Sequence, residues 1–530
     1  MGIFGNYRGI TISVKRMKNF FGKWKKSKIA LSQPVEDSID DKIPDGISKN
    51  LQDNTVMLYE LFGESFDLVI KPSEVCGNKI AFVALDGMYD NLLVSQAVIH
   101  PVCETKTADV RPVSVYEHIR QLRIGECDTK EALLTADAVN FLISGCLLLF
   151  VDGVDRCLAF SVQGYPKKGI EPPASEQQEM GSHEGFVDMY KDNVTLVRRR
   201  FKNPYVRFET VTVGKESNTT VCVCYHAKRA SPEIVNDVKG RLQKAKLDIV
   251  AGSGALIPFL ENKRMSFFSS VGYTERPDVF CAKLAEGRVG LIVDGSPTAL
   301  LMPYLFIENF HSLDDYLSRP YYAVISRILK IVCFFIASFL PGTFVAVGTF
   351  HQEIFPSEVI FEIVSSLKNT PFPLVVECVV IHLIYEIVRE AGLRMPKAVG
   401  HTVSIVGALV IGDAAVSAGL ISAPMLIVIA ITAIASAVTP SLHQPSSVLR
   451  LIFIIVGGIM GLYGIMLGFS LVIADLCSVS SFGVPFTAPF SPFDFYASRD
   501  SVFFAGWKSV GKRFAQIHKL KGSDIDAENS

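Results

Sequence analysis

Residues 401–440 read HTVSIVGALVIGDAAVSAGLISAPMLIVIAITAIASAVTP, an apolar run interrupted only by Asp413 and by the small-residue and proline break at Ser422, Ala423 and Pro424. Inside a bilayer every backbone N–H and C=O must bond within its own segment, and a helix needs about 20 apolar residues to cross the hydrocarbon. A run of this length with a central breaker predicts two crossings joined as a membrane hairpin; one buried core helix would be far shorter. Small residues recur at Gly407, Ala408, Gly412, Ala415 and Gly419, then at Ala430, Ala433 and Ala437. They let neighbouring helices approach closely where lipid gives no hydrophobic drive for association. Further on, Gly457, Gly461, Gly464 and Gly468 repeat the pattern. Gly407, Gly412, Gly419, Gly457 and Gly461 are therefore the candidate helix-packing positions.

Outward from this run the chain divides by polarity. Almost all charged residues lie before Arg327 or after Asp494, and the region between is mostly Ile, Val, Leu, Phe, Ala and Gly. The 530 residues suffice for two or three domains, and 52 basic against 53 acidic side chains give a formal net charge of -1. That balance argues against a nucleic-acid partner. The opening, MGIFGNYRGITISVKRMKNFFGKWKKSKIA, has no continuous apolar core and no small-residue cleavage site, so the soluble part is expected in the cytoplasm. MGIFGN also lacks the Ser or Thr of a myristoylation signal. Eleven scattered cysteines, an odd number, predict free thiols. Cys222 and Cys224 alternate onto one face of a strand; His226 alone beside them leaves a metal set incomplete, so the core-strand reading is preferred.

In chain order, Lys15, Arg16, Lys18, Lys23, Lys25, Lys26 and Lys28 are interleaved with Phe20, Phe21 and Trp24. Two readings stay open for this stretch, a face resting on anionic lipid or a disordered basic tail. The folded part opens near Ser48, a candidate cap for a helix over 48–62, followed by the strand FDLVIKP. Three stretches share one pattern of apolar strand, Asp-Gly, apolar run: Asp86-Gly87, Asp152-Gly153 and Asp294-Gly295. Asp-Gly accepts positive φ at little steric cost, so each predicts a turn between two strands, a role that explains these aspartates without catalysis. A helix over 185–201 ends in Arg198, Arg199 and Arg200, for which a solvated cap on its carbonyl end is preferred to a docking surface. Ser231 and Pro232 open another helix as cap and first helical position. No phosphate-binding loop, zinc-ligand set or nucleophile elbow is present, so no catalytic residue, metal site or cofactor is assigned.

The expected order is a basic and polar tail over residues 1–47, a first cytoplasmic subdomain over 48–175 and a second over 176–318. A membrane domain over 319–496 and a polar tail over 497–530 follow. The fold class is an α+β (mixed α/β) cytoplasmic domain of two subdomains, followed by an all-α polytopic membrane domain with four to five crossings.

A set of ordered motifs carries a family resemblance. GSHEGFVDMYKDNVTLVRRRFKNP, TERPD, EGRVGLIVDGSP, RPYY, FHQEIFP, PFPLVVE, EIVREAGLRMP, VSIVGALVIG, TAIAS and SFGVPF resemble successive signatures of the A-subunit family of spore germinant receptors. This is the GerA type, with the accessory SpoVAF proteins as relatives, and the resemblance spans about residues 50–493. It implies a spore inner-membrane complex with a polytopic B subunit and a lipoprotein C subunit, in which the A subunit is a homo-oligomer embedded in membrane lipid and conducts ions. One departure stands out: where the family has Arg-Gly-Pro-Arg-Glu-Gly-Phe, residues 179–186 read EMGSHEGF, without either arginine or the proline. A SpoVAF-like accessory channel subunit is the alternative within the family. A membrane-anchored enzyme or nucleotide-binding module is the alternative outside it, and a transporter acting alone is a third reading.

Crossings are expected over about Ala323–Val347, broken late by Pro341-Gly342, over Phe372–Ile387, twice within the hairpin, and over Val448–Leu476. Positive-inside counting puts the N-terminal domain, the 389–400 loop and the tail after Arg499 all in the cytoplasm. Five full crossings cannot satisfy this, so either one segment is re-entrant or the tail is outside; the Pro-broken stretch 350–368 is where an irregular element could sit. Ionisable groups inside such segments face a bundle interior or a wet path. Asp413, Glu377, Glu386 and Asp475 are the pore or gating candidates, and His382 either joins them or pairs with Glu386 one turn away. The resemblance places Gln more often at position 413 and Glu at 417, so here the carboxylate has moved one turn along the same face.

Overall fold

The computed structural model describes residues 46–105, 110–121, 128–164, 173, 176, 178, 180–262, 266–354, 370–395, 412–495, 497–504, 506 and 516–523. The N-terminal basic stretch, Gly407 and the 350–368 element beyond Ile354 lie outside the described residues.

The soluble half is α+β and is built twice to one plan. The first module runs α1 (Leu51–Phe62), β1 (Leu68–Val75), β2 (Asn78–Leu85), α2 (Asn91–Cys103), α3 (Pro112–Gln121), β3 (Thr129–Ala132), α4 (Thr135–Ile143), β4 (Leu147–Val151) and β5 (Cys157–Phe160). The second runs α5 (Tyr190–Arg200), β6 (Val206–Val213), β7 (Thr219–His226), α6 (Pro232–Lys244), β8 (Gly272–Thr274), α7 (Pro277–Ala285), β9 (Val289–Val293) and β10 (Ala299–Met302). The sheet orders are β1-β2-β4-β5-β3 and β6-β7-β9-β10-β8, antiparallel throughout, so each is two hairpins plus an edge strand in the same arrangement. The central strands β4 and β9 are buried at every position, as strands covered on both faces must be.

The Asp-Gly turns show why the plan repeats. Between β4 and β5, Asp152 accepts a hydrogen bond from the Leu51 backbone N–H (3.0 Å) while Gly153 donates to the Lys49 carbonyl (2.7 Å). Between β9 and β10, Asp294 accepts from Tyr190 N–H (3.4 Å) and Gly295 donates to the Asp188 carbonyl (2.8 Å). Each turn thus docks the opening of its module's first helix, satisfying orphan N–H groups there. Asn54 and Asn193 then make matching pairs of bonds to the backbone of Ser48 and Val187. The third Asp-Gly differs from expectation: after β2, Asp86-Gly87 leads into helix α2, not a strand, because Asp90 caps that helix through the N–H groups of Leu92 and Leu93. The cap of α1 is likewise Asn50, which accepts from Gln52 N–H (3.0 Å), and not Ser48. Ser231 caps α6 as the sequence predicts.

The arginines ending α5 are not a solvated cap. Arg198 is 1% exposed and pairs with Asp67 of the first module at 2.8 Å, with further bonds to Ser65 and to the carbonyls of Asn203 and Val206. Its guanidinium lies over the rings of Phe62 (5.6 Å) and Phe208 (4.6 Å). Arg199 and Arg200 both clasp Glu184. Helical periodicity aimed Arg198 inward, and a carboxylate from the other module gave it a partner, so it locks the two modules together. Cys222 and Cys224 are buried strand residues with sulfurs 3.7 Å apart.

Among the described residues the apolar half contains α8 (Pro320–Phe350), α9 (Leu374–Arg394), α10 (Ala423–Val438) and α11 (His443–Ser478). Among the described residues two helical stretches, Pro320–Phe350 and Pro440–Ser478, are long and apolar enough to cross a membrane, with mean hydropathies of 2.2 and 2.3. Two expectations change here. Helix α8 continues through Pro341-Gly342 without ending. The run over 448–476 is not one helix, because Gly461 has φ 63° and ψ -150°, a conformation open only to glycine. Phe453 and Phe469 both stack on Phe339, at 4.4 and 5.5 Å, although sixteen residues along a straight helix would separate them by about 24 Å. Helix α11 therefore folds back at Gly461 into two antiparallel arms. The first runs alongside α8, with Gly457 against the Gly342 carbonyl, and the tip lies level with Phe350 and His351.

Both arms of α11 end at the soluble half. Before the first, Ser441 bonds the Asn309 carbonyl (3.3 Å); at the end of the second, Asp475 accepts from Ser266 (2.8 Å) and from Phe267 N–H (3.3 Å). The short ladder over Ser480–Pro485 then inserts Phe482 into the core of the second module, under the Arg241 guanidinium (4.5 Å). Across the junction Phe306 and Phe334 pack their rings on Phe268, and Phe310 and Phe486 pack on Phe306.

Candidate functional site

Three groups of buried polar side chains stand out, and each follows from a local constraint of the chain. The first arises from Pro341. Proline has no N–H, so the carbonyl four residues earlier in α8, that of Ala337, loses its helical donor. That carbonyl instead accepts from Arg450 Nε at 2.7 Å, across from the first arm of α11. Arg450 is wholly buried and lies 5.7 Å from the Tyr385 ring of α9. One turn earlier on α11, Ser446 bonds Ser338 (3.0 Å) and Ser447 donates to Glu386 (2.5 Å), which also accepts from Arg389 (3.1 Å). His382, one turn before Glu386, is 3% exposed and stacks on Tyr385 at 6.5 Å. A polar seam thus joins α8, α9 and α11. Periodicity brought Glu386 and His382 to it. Arg450 was not singled out, although a lone arginine within three residues of the start of an apolar run was the signal available.

The second group centres on Glu377, which is 0% exposed. Its Oε1 accepts from both the N–H and the hydroxyl of Ser422, each at 2.6 Å, and Ser422 is the residue before α10. A carboxylate at the positive end of a helix is favoured by the helix dipole. The Ser422-Ala423-Pro424 break is therefore where α10 starts, with α9 supplying its cap.

The third group fastens the soluble half to α8. Arg327 bonds Asp500 (3.1 Å) and the Ser501 carbonyl (2.7 Å), and Lys330 pairs with Asp315 at 2.9 Å. Behind them Glu308 accepts from Arg288 (2.7 Å) and Lys283 (2.6 Å). Burial alone would raise the Glu308 carboxyl, but the two cations hold it down to about 2. Burial also pushes His311 well below the ordinary imidazole range, with Arg327 and Lys283 adding to it, so the ring is neutral where it meets the Ser501 carbonyl.

The remaining sequence candidates are dispersed. Asp413 is exposed, on the helical residues 412–417, with Ser417 exposed one turn on. Asp475 sits at the junction, bonded to the soluble half through Ser266 and Phe267. Among the packing glycines, Gly457 makes the tight α8–α11 crossing and Gly412 rests on Leu426, while Gly419 and Gly461 have positive φ and form turns. Among the described residues no group of His, Cys, Asp and Glu is arranged to hold a metal ion.

Known proteins match this chain across both halves. The family described as Bacillus/Clostridium GerA spore germination protein matches residues 56–516. Spore germination protein KA of Bacillus subtilis is 35% identical over 478 residues, covering 89% of this chain and 88% of its own. The uncharacterized membrane protein YfkQ of Bacillus subtilis is 33% identical, covering 88% of this chain and 91% of its own; GerLA of Bacillus cereus is 31% identical, covering 87% and 94%. The matched span begins inside α1 and runs beyond the last helical arm to the tail segment whose Ile517 N–H bonds the Glu286 carbonyl, so it takes in both modules, their junction and the whole apolar bundle. The chain belongs to the GerA family of spore germination proteins.

Proposed function

We propose that this chain is the A-type subunit of a nutrient germinant receptor in the spore inner membrane. It would act with a polytopic B subunit and a lipoprotein C subunit, as a homo-oligomer that conducts ions or relays the signal that starts germination. Membership of the GerA family over both halves of the chain carries this reading. Multi-pass insertion with the soluble half in the cytoplasm is part of it. In support, the fold-back at Gly461 turns the last apolar run into two antiparallel arms of eighteen and seventeen residues, the longer about 27 Å. With two arms in place of one the count of segments becomes even, and the N-terminal domain, the basic 389–400 loop and the tail can share one side, as positive-inside counting asks.

Within this reading Asp413 is the foremost pore residue. Its exposure on the single chain suits a side chain that faces a symmetry-related copy or a shared aqueous path, since a carboxylate facing lipid is costly. A ring of such groups would favour cations. Glu386 and Glu377 are candidates for gating, held between helices. Asp475 is proposed as a tether that transmits movement between the halves.

The test is a deletion strain complemented with the wild-type chain. Spores lacking it should fail to germinate in the nutrient mixture their other receptors do not serve, and affinity-tagged chain should co-purify with B and C subunits. Normal germination in every nutrient with no co-purifying subunit would refute the receptor assignment. Slower germination with all nutrients alike would identify the accessory role instead.

A further inference from the structure

Helix α8 is longer than a membrane requires. Its 31 residues measure about 46 Å, against about 30 Å of hydrocarbon. The arms of α11 flank only its second half: Ser446, near the start of the first arm, meets Ser338, and the tip at Gly461 meets Phe350 and His351. Before that level the inner face of α8 is covered by the soluble half and the tail, with Phe334 on Phe306 and Phe310, Lys330 on Asp315 and Arg327 on Asp500. Residues 332–350 rise about 27 Å, as much as the longer arm, so residues 320–331, about 18 Å of helix, stand outside the hydrocarbon beside the soluble half. The outer face of this stretch is bare. From 321 to 335 every exposed residue is aromatic or aliphatic and each is 43–65% exposed. Tyr321, Ile325, Ile328, Val332 and Phe335 follow one another by four, three, four and three residues, the spacing of a coiled-coil seam, with β-branched Ile325 and Val332 at alternate positions. A continuous apolar stripe outside lipid marks a protein contact.

We propose that this stripe is the seam along which α8 of one copy packs in parallel against α8 of a second copy of the chain; it rests on the homo-oligomer reading given above and assigns that oligomer a contact surface. Copies inserted in one membrane share orientation and height, because the same soluble half fixes how far α8 projects in each. Equal positions therefore meet in layers, which is what an apolar four-three repeat needs from its partner. A second copy presents the identical repeat at the identical level, and rotation about an axis along the membrane normal brings the two together. Lipid tails do not reach the start of the stripe, which lies beyond the hydrocarbon. The seam is also bounded. The next position of the repeat is Phe339, which turns inward onto Phe453 and Phe469, so the contact is confined to the stretch outside the hydrocarbon and the first turn within it.

The test is disulfide trapping of the full chain in native membranes, in a background carrying Cys103→Ser, Cys127→Ser and Cys477→Ser. Under mild oxidation Ile325→Cys and Ile328→Cys should each give a disulfide-linked pair of the chain. Ser326→Cys, on the same helix but off the seam, should give about fivefold less. Ile328 is exposed on the single chain, so Ile328→Lys leaves its packing intact; added to Ile325→Cys it should lower the linked product about fivefold with the amount of chain unchanged. Copies per complex are counted separately by single-molecule photobleaching. Several copies per complex, with no more product at 325 and 328 than at 326, would overturn the seam and leave the homo-oligomer reading standing. One copy per complex would overturn both. A product whose mass shows a different subunit joined to Ile325→Cys would overturn the choice of a second copy as the partner.

Discussion

Replacing Arg198 with methionine separates the fastening of the two soluble modules from the helix that carries it. The guanidinium makes paired bonds to Asp67 (2.9 and 3.0 Å) and bonds to Ser65 and two carbonyls, with both charged partners at most 2% exposed. Methionine fills much of the space between Phe62 and Phe208 but leaves Asp67 buried without its cation. Removing one partner of a buried pair costs about 3–5 kcal/mol, against at most about 1 kcal/mol for a partly exposed one. Arg199, 29% exposed where it meets Glu184, supplies that comparison on the next residue of the same helix. Hydrogen exchange of the α5 and β1 amides in the full chain reads the local opening free energy. Arg198→Met should speed exchange there by about two to three and a half orders of magnitude, and Arg199→Met by about fivefold or less. Adding Asp67→Leu to Arg198→Met should recover much of the loss, since an apolar pair of similar volume replaces a buried ion pair at little cost. Equal effects of the two arginine variants, or no recovery in the double variant, would show that the pair does not hold the modules together.

Three further outcomes are expected. Gly457→Leu places its first side-chain carbon 2.5 Å from the Gly342 carbonyl, so α8 and α11 must part at a cost of about 1–3 kcal/mol, lowering the unfolding temperature in detergent, whereas Gly240→Leu, with nothing within 4 Å, should change it far less. Glu308 has its carboxyl depressed from 4.5 to about 2, so its stabilisation is fully present above 4.5 and is lost as pH falls through the window down to about 2. Protease release of the soluble half should rise across that window, and Glu308→Gln should already show the raised release at neutral pH, with the acid step flattened. On the proposed reading of a cation-conducting oligomer, Asp413→Asn should lower the cation selectivity of the reconstituted chain without loss of protein, and Asp413→Gln with Ser417→Glu should restore it; unchanged selectivity in Asp413→Asn would refute the proposed pore role of this residue.

The sequence by itself determined the division into a charged soluble half and an apolar helical half, because hydropathy acts locally and needs no partner to be read. It also determined the Asp-Gly turns at 152–153 and 294–295, the Ser231-Pro232 helix start and the core placement of Cys222 and Cys224, each a matter of neighbouring residues. The family was legible for the same reason, as a string of ordered local motifs. Tertiary structure decided what depends on a distant partner. Arg198 looks like a helix cap until Asp67, 131 residues away, is brought to it. Pro341 looks like a helix end until Arg450, 113 residues from Ala337, takes the carbonyl that proline leaves open. Gly461 looks like one more small packing residue until its positive φ turns α11 back on itself, since a residue without Cβ serves equally for close contact and for a left-handed turn. Composition cannot distinguish those two uses; only the position of Phe453 and Phe469 against the same ring does.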